Sequence, residues 1–235
     1  MNILDFLFPP SCLSCQKLTG NSHDFYKYLC QRCLGRIKIN EDDQCFLCHI
    51  FTRNGKTCSS CQRKTPLKGI IVASDYDNLI LKETIHYFKY RYVRTLALPL
   101  SWILLKKLNE FPFENKKDWL LIPVPLAKRR LHDRGFNQTE LLAQNLSKWL
   151  NISVSSAIIE RVRFRTPQME IKNIKERIKN IQNSFSLKKE ANAGLIKNKR
   201  VILIDDVATT GATLSECAKI LKPYVKEVWG CVIAK

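Results

Sequence analysis

The sequence lacks the hallmarks of a membrane or secreted protein. None of its apolar runs approaches the roughly 20 residues that a membrane-spanning helix needs. The first residues, MNILDFLFPPSC, have neither a basic start nor a long apolar core, so we expect no secretory signal peptide and a cytoplasmic location. Hydrophobic residues still make up 45% of the 235, which excludes a disordered chain. The length is enough for one large domain and a small module.

Two common nucleotide-binding motifs are also missing, and acidic residues are scarce. There is no G-x-G-x-x-G and no G-x-x-x-x-G-K-[ST], which excludes a Rossmann dinucleotide site and a Walker phosphate loop. Lys and Arg outnumber Asp and Glu by 39 to 21, a formal net charge of +18. This imbalance favours anionic partners such as phosphates or nucleic acid.

Cysteine, by contrast, is abundant and clustered. Eight of the ten cysteines form four Cys-x-x-Cys pairs, separated by 14, 11 and 9 residues. Two such pairs complete a tetrahedral zinc site, so the spacing predicts two structural Zn²⁺ ions, with disulfides disfavoured in a reducing compartment. We expect the pairs to combine in sequential order, with interleaved pairing as the alternative. The predicted ligands are Cys12, Cys15, Cys30, Cys33, Cys45, Cys48, Cys58 and Cys61.

The cysteines divide the chain into two predicted domains. A double zinc-ribbon module is expected over residues 1–65 and a second domain over residues 66–235. Four cysteines around each ion would leave no position open for water, so the sites are expected to be structural. His49 follows Cys48 and could replace a ligand, but an exposed histidine is the preferred interpretation. Cys217 and Cys231 lie in apolar patterns and are predicted core residues.

Residues 66–235 alternate between strand and helix patterns. Strands are predicted at residues 69–74, 119–124, 155–159, 201–204 and 227–233, and helices at residues 78–90, 93–109, 137–150, 171–182 and 213–224. Asn137 followed by Glu140 predicts a capping box at the start of one helix. The alternation predicts an α/β fold, with a parallel sheet and helices on both faces.

The segment VILIDDVATTGATL at residues 201–214 predicts a phosphate site. A buried strand leads to Asp205 and Asp206, and a turn of small and hydroxyl residues then opens a helix. Amide groups at a helix start bind anions, and Gly211 lets the backbone approach closely. Carboxylates repel phosphate but suit sugar hydroxyls, so we expect a 5′-phosphate in the turn and a ribose over the aspartates. The predicted site comprises Asp205 and Asp206 as catalytic residues, with Ala208, Thr209, Thr210, Gly211, Ala212 and Thr213 binding phosphate and ribose.

This segment resembles the ribose-5-phosphate signature of type I phosphoribosyltransferases. Residues 122–138 (IPVPLAKRRLHDRGFNQ) and 161–185 (RVRFRTPQMEIKNIKERIKNIQNSF) resemble signatures of the ComF family, as does Phe88-Lys89-Tyr90. That family joins a zinc-ribbon region to a phosphoribosyltransferase domain and is tied to DNA uptake in natural competence. The resemblance implies a type I phosphoribosyltransferase-like parallel sheet behind a double zinc ribbon, in a protein that binds phosphoribosyl diphosphate with Mg²⁺.

A pyrophosphate group needs cations, and basic residues occur in two segments of this domain. One is a charge-rich stretch after Pro125, expected as a loop, and the other begins at Arg161. The candidates for binding pyrophosphate or DNA are Lys89, Arg130, Arg134, Arg163, Arg165 and Gln168.

Charge also predicts a second ligand, single-stranded DNA. Residues 128–200 carry 17 Lys and Arg against 6 Asp and Glu, a local net charge of 17 − 6 = +11. The region contains Phe136, Trp149, Phe164 and Phe185, most of which also fit a buried core. A basic groove with a few aromatic residues is typical of sequence-independent binding of single strands.

Three functional hypotheses remain from the sequence. The first, implied by the ComF resemblance, is a protein that handles incoming single-stranded DNA in the cytosol beside a helicase-type competence protein. The second is an active phosphoribosyltransferase on an unknown small acceptor. The third is a ligand-sensing regulator. Residues that could bind the phosphate, ribose and pyrophosphate are present. No segment is recognisable as a binding site for a nucleobase acceptor, so the sequence leaves enzymatic activity open.

Overall fold

A five-stranded parallel sheet forms the centre of the molecule, as a computed structural model shows for residues 9–19, 24–162, 181–189 and 193–235. Its strands are β1 (Gly69–Ser74), β2 (Trp119–Pro123), β3 (Ser153–Val154), β6 (Arg200–Val207) and β7 (Glu227–Ala234). Their order across the sheet is β1-β7-β6-β2-β3. A separate antiparallel pair consists of β4 (Ile159–Arg161) and β5 (Phe185–Leu187). The predicted parallel sheet is confirmed.

Helices cover both faces of this sheet. They are α1 (Gln31–Gly35), α2 (Leu79–Tyr90), α3 (Ala97–Leu108), α4 (Lys128–Arg134), α5 (Gln138–Leu150), α6 (Ala193–Ile196) and α7 (Ala212–Leu221). Alternate residues of β6 face opposite layers: Ile202 and Ile204 pack with α2, α3 and α5, whereas Val201 and Leu203 pack with α7. Burial on both faces explains why this strand is continuously apolar up to its acidic end.

Several predicted boundaries are corrected. The strand expected at residues 155–159 is instead two short strands, β3 ending at Val154 and β4 beginning at Ile159. Helix α7 ends at Leu221 rather than Tyr224, because Pro223 has no amide hydrogen with which to continue the helical hydrogen bonds. Residues 171–180 of another predicted helix lie outside the described part of the chain.

The charge-rich stretch expected as a loop forms helix α4. This helix ends at Gly135, whose φ of +71° is the left-handed conformation that glycine adopts at helix ends. The Asn137 cap of α5 is confirmed, since its side chain accepts from the Thr139 amide. Glu140 does not complete the predicted capping box: it accepts a hydrogen bond from the Ser156 hydroxyl at 2.7 Å.

The cysteine-rich region packs closely against the sheet. Cys12 and Cys33 belong to the same buried core as α2 and α3, and Phe46 belongs to the core on the opposite face. The same region also covers the outer edge of β1, where the Asn40 amide donates to the Ala73 carbonyl at 2.9 Å. The division at residues 65 and 66 stays a prediction. No helix of the described residues has the length and hydrophobicity to cross a membrane.

Candidate functional site

The eight clustered cysteines form two groups of four thiols. The first group contains Cys12, Cys15, Cys30 and Cys33, and the second contains Cys45, Cys48, Cys58 and Cys61. Within each group the candidate ligand atoms all lie within 4.8 Å of one another. The sequential pairing is therefore confirmed. His49 is not part of either group, and its Nδ1 lies 2.8 Å from the Lys235 amine.

The spacing of the sulfur atoms fits zinc. Four sulfurs about 2.3 Å from a tetrahedral Zn²⁺ ion are about 3.8 Å apart. The Sγ atoms of Cys15 and Cys30 are 3.8 Å apart, and those of Cys48 and Cys58 are 3.5 Å apart. The Cys30 amide donates to Cys12 Sγ at 3.5 Å, as suits a thiolate acceptor. Both groups can hold one Zn²⁺ with every position taken by sulfur, which makes the ions structural.

The acidic pair lies in the last part of β6, within the strand rather than after it. Asp205 Oδ1 accepts from the Asp206 amide at 2.9 Å, and Asp206 Oδ1 accepts from the Val207 amide at 2.7 Å. The Lys89 amine, from the end of α2, lies 2.8 Å from Asp206 Oδ1. Burial, together with repulsion from Asp206, raises the pKa of Asp205 to about 7. One carboxyl is thus paired with a cation, and the other titrates near neutral pH.

The turn between β6 and α7 forms a small concave site directly beside the acidic pair. Its lining includes Asp205 and every residue from Val207 to Leu214. Gly211 precedes α7 with a φ of +68°, a left-handed conformation that favours glycine. The Ala212 amide lies 3.4 Å from Thr210 Oγ1. Because the first amides of a helix have no carbonyl partner within it, this turn can accept a phosphate.

The second zinc ribbon supports this turn from behind. A Cβ atom added at Gly211 would lie 3.0 Å from the Phe46 ring and 3.1 Å from the Ile70 side chain. Phe46 directly follows the zinc-site residue Cys45 and is buried. The close fit explains why this position needs glycine for space as well as for its backbone conformation.

Three arginines join Lys89 around the acidic pair. The guanidinium of Arg134 lies 5.7 Å from the Tyr90 ring centre, and that of Arg161 lies 5.3 Å from the Phe185 ring centre. Burial lowers the pKa of both groups, and repulsion from Arg130 lowers it further. Asp206 opposes this shift at Arg134, and Asp205 opposes it at Arg161. Lys89, Arg134 and Arg161 therefore act on the acidic pair, and Arg130 lies near the two other arginines.

Most of the predicted site residues meet in this one place. The structure brings the acidic pair and the 208–213 turn together with Lys89, Arg130 and Arg134. Arg163, Arg165 and Gln168 lie outside the described residues. Arg161 begins the second basic segment of the sequence analysis but was not among its candidate ligands. Its buried Nε has no hydrogen-bond partner in the part of the chain that the structure describes. The ligand-binding roles of all these residues stay predictions.

The aromatic residues considered for DNA belong mainly to the core. Phe136 and Phe185 are each only 6% exposed, Trp149 is 39% exposed, and Phe164 lies outside the described residues. The exposed aromatic residues near the site are Tyr90 and Tyr92, at the end of α2 and just beyond it. Tyr90 belongs to the Phe88-Lys89-Tyr90 segment that resembles the ComF family, whereas the alternation with basic residues is the signal at Tyr92.

In comparison with known proteins, the α/β part and the cysteine-rich part of the chain each match a known domain family. The phosphoribosyl transferase domain family matches residues 134–234, and the double zinc ribbon domain family matches residues 3–62. Competence protein F of Haemophilus influenzae is 32% identical over 228 residues, covering 88% of this chain and 97% of the relative. DNA utilization protein YhgH of Escherichia coli K12 is 29% identical over 214 residues, covering 82% and 90%. Competence protein ComFC of Bacillus subtilis is 28% identical over 203 residues, covering 82% and 77%.

The fold and the site define a phosphoribosyltransferase-type α/β domain that carries a double zinc ribbon with two Cys₄ sites. The likeness to the Haemophilus protein runs through both parts and nearly the whole of that relative. The chain belongs to the ComF family.

Proposed function

We propose that this protein acts in DNA utilization and natural competence in the cytoplasm, where it binds phosphoribosyl diphosphate and single-stranded DNA. The observation that carries the first ligand is the placement of Asp205 and Asp206 beside the 208–213 turn, with Lys89 and Arg134 at the same place. The names of the relatives, Competence protein F and DNA utilization protein YhgH, support the role.

Each part of the ligand has matching chemistry in the site. The 5′-phosphate would accept hydrogen bonds from the amides and hydroxyls of the turn at the start of α7. The ribose hydroxyls would donate to Asp205 and Asp206. The pyrophosphate would face Lys89, Arg134 and Arg161. Lys89 would then move from the Asp206 carboxylate to a ligand oxygen, which frees that carboxylate for the ribose.

The donor set also fits Mg²⁺. Carboxylate oxygens are the hard ligands that this ion prefers, and it commonly completes its shell with water and substrate phosphates. Asp205 and Asp206 would hold the ion together with oxygens of the ligand. When bound, Mg²⁺ would neutralise charge on the pyrophosphate, so that two arginines and a lysine need not do so alone.

Calorimetry with phosphoribosyl diphosphate, with and without Mg²⁺, tests this proposal. We expect binding that strengthens with Mg²⁺ and falls at least tenfold in a variant with Asp205→Asn and Asp206→Asn, because ribose and metal ligands are lost. Asp77→Asn, at an exposed carboxylate just before α2, is the matched control and should bind like the wild type. Equal binding by the double variant would refute the assignment of the site.

A catalytic role is a second candidate, and the cations beside the acidic pair favour it. Lys89 and Arg134 would stabilise the charge of a departing pyrophosphate. An active protein would release pyrophosphate from phosphoribosyl diphosphate when offered a suitable small acceptor. A screen of acceptors for pyrophosphate release tests this. No release with any acceptor, from a protein that binds the ligand, favours a binding role.

The proposed DNA binding rests on the local net charge of +11 (17 − 6) over residues 128–200. Binding of this kind releases counterions, so affinity for a single strand should fall steeply with salt. Fluorescence anisotropy with oligo(dT) between 50 and 200 mM salt measures the slope, about −0.7 per phosphate contact. A flat response would exclude an electrostatic groove. The family resemblance also suggests a helicase-type competence protein as a partner, which co-purification from a transforming cell would test.

A further inference from the structure

The end of α2 and helix α4 form a cationic strip beside the proposed phosphoribosyl site. The two elements meet where the Arg134 guanidinium lies 5.7 Å from the Tyr90 ring centre and Arg94 lies 5.1 Å from the Phe136 ring centre. Within residues 86–94 and 128–134, Asp133 is the only carboxylate in the sequence. The cations of the strip are Lys89, Arg91, Arg94, Lys128, Arg129, Arg130 and Arg134.

Two tyrosines stand exposed on this strip. Tyr90 is 58% exposed and Tyr92 is 44% exposed, and Arg91 lies between them in the chain. Large aromatic side chains usually contribute to a core, so their exposure among cations needs a reason. A row of phosphates flanked by bases has the matching chemistry, because phosphates pair with cations and every base has a face that stacks on an aromatic ring.

The backbone at Tyr92 gives an independent indication. Its φ is +59°, a left-handed conformation that glycine usually supplies after a helix and that is unfavourable for a bulky residue. Backbone strain of this kind persists when a side chain is held at a position for a purpose. Tyr92 keeps 44% of its surface exposed, so part of its ring is open to a ligand despite the strain.

We propose that single-stranded DNA binds along this strip, with Tyr90 and Tyr92 stacking on its bases, and that it competes there with phosphoribosyl diphosphate. Competition follows from shared cations. The Lys89 amine lies 2.8 Å from Asp206 Oδ1. The Arg134 guanidinium lies beside the Tyr90 ring, and the charge of Asp206 also acts on it. A DNA phosphate and a pyrophosphate cannot both occupy these two side chains. The proposal rests on the proposed function, because it locates the DNA and relates its binding to that of the other ligand.

The test is oligo(dT) anisotropy with three variants and a matched control. Tyr90→Ala and Tyr92→Gly should each weaken binding about fivefold or more, the loss expected for one stacked base. Tyr92→Gly also relieves the backbone strain, so its thermal stability should not fall, which separates loss of stacking from misfolding. Arg91→Ala should reduce the salt slope by about 0.7. Tyr224→Ala, at a tyrosine 42% exposed beyond α7, should bind like the wild type.

Competition is measured in the same assay. Saturating phosphoribosyl diphosphate with Mg²⁺ should raise the apparent Kd for oligo(dT) at least tenfold, whereas sodium sulfate at matched ionic strength should raise it far less. If wild-type protein binds no oligo(dT), the proposed DNA function fails. If it binds but both tyrosine variants bind equally well, or the ligand displaces no DNA, only the present proposal is overturned. Tighter binding of oligo(U) than of oligo(dT) would overturn the assignment to DNA.

Discussion

Asp205 lies beside Asp206 at the end of β6, where burial disfavours its charged form. Its pKa is raised from an ordinary 3.8 to about 7, first by burial and then by the neighbouring carboxylate. A buried carboxyl of this kind weakens the fold once it ionises. Its presence is explained if the ionised form binds a ribose and a metal ion.

Replacement of this residue should therefore change stability and binding in opposite directions. Between about pH 4 and 7 the folded state holds the Asp205 proton more tightly than the unfolded state, so wild-type stability falls as pH rises and levels off above pH 7. Asp205→Asn cannot lose stability in this way. Its free energy of unfolding should therefore rise relative to that of the wild type across this pH range, by about a few kcal/mol at pH 8. Its affinity for phosphoribosyl diphosphate should fall.

Urea unfolding at pH 5, 6, 7 and 8 measures the difference in unfolding free energy. The exposed Asp77→Asn variant should stay parallel to the wild type throughout. Parallel curves for Asp205→Asn as well would show that Asp205 titrates normally in the folded protein.

Replacing Gly211 or Gly135 by alanine can lower stability in two ways, through unfavourable left-handed backbone and through steric overlap. Comparison of the two positions separates these contributions. Their φ values, +68° and +71°, are nearly equal, but a Cβ at Gly135 meets nothing within 4 Å, whereas one at Gly211 meets the Phe46 ring. Gly135→Ala should cost about 1 kcal/mol from the backbone alone. Gly211→Ala should cost about 1–2 kcal/mol more and should weaken phosphate binding. Thermal unfolding and calorimetry measure both, and equal losses would contradict the proposed contact.

At the scale of elements, the second zinc ribbon and the phosphate turn form one packed unit. Phe46 connects them, because it follows Cys45 in the ribbon and packs against Gly211 at the start of α7. The Lys235 amine, from the end of the chain, lies 4.7 Å from the centre of the same ring. The ribbon therefore sets the shape of the turn without contributing a ligand to it.

Phe46→Ala should weaken phosphoribosyl diphosphate binding while both zinc ions are retained. Removing a buried phenylalanine typically costs about 3 kcal/mol, and here the cavity would lie directly under the turn. Phe51→Ala, in the same ribbon but 74% exposed, is the matched control and should leave affinity unchanged. Zinc content and ligand calorimetry are measured on both variants. Unchanged affinity in Phe46→Ala would show that the turn holds its shape without the ribbon.

At the scale of the whole molecule, the two zinc sites support opposite faces of the sheet. Cys12 and Cys33 of the first site are buried in the core with α2 and α3, and Phe46, next to the second site, is buried in the core with α7. Zinc binding supplies folding free energy to such regions. Loss of zinc should therefore destabilise both cores and the phosphate site.

Chelation should lower the melting temperature of the entire chain in a single transition. The ribbons and the sheet share buried side chains, so they should unfold together. Calorimetric scans with and without a strong chelator measure this, and added excess zinc should restore the original transition. An α/β domain that melts at an unchanged temperature after zinc loss would show that the ribbons are independent modules.

The sequence predicted local features better than contacts between distant segments. The zinc ligands follow from cysteine spacing, and the phosphate turn follows from one continuous segment with its own strand and helix signals. The Lys89–Asp206 ion pair joins residues more than a hundred positions apart, and the Phe46–Gly211 contact joins the cysteine-rich region to the start of α7. No periodicity encodes such pairs. Helix α4 was missed because its seven residues, KRRLHDR, have too few apolar side chains to show a helical period.

The cover over β1 has a practical consequence for anyone dividing this protein. The cysteine-rich region is hydrogen-bonded along the edge of that strand. The Asn40 amide donates to the Ala73 carbonyl, and the Ser74 hydroxyl donates to the Lys38 carbonyl. Just before the strand, the Thr57 amide donates to the Lys68 carbonyl. A fragment beginning at residue 66 would present this edge to solvent, together with apolar surface from both cores. Exposed edges of that kind pair with one another. The isolated α/β half should aggregate, so the amino-terminal region also serves as a solubility device for the sheet.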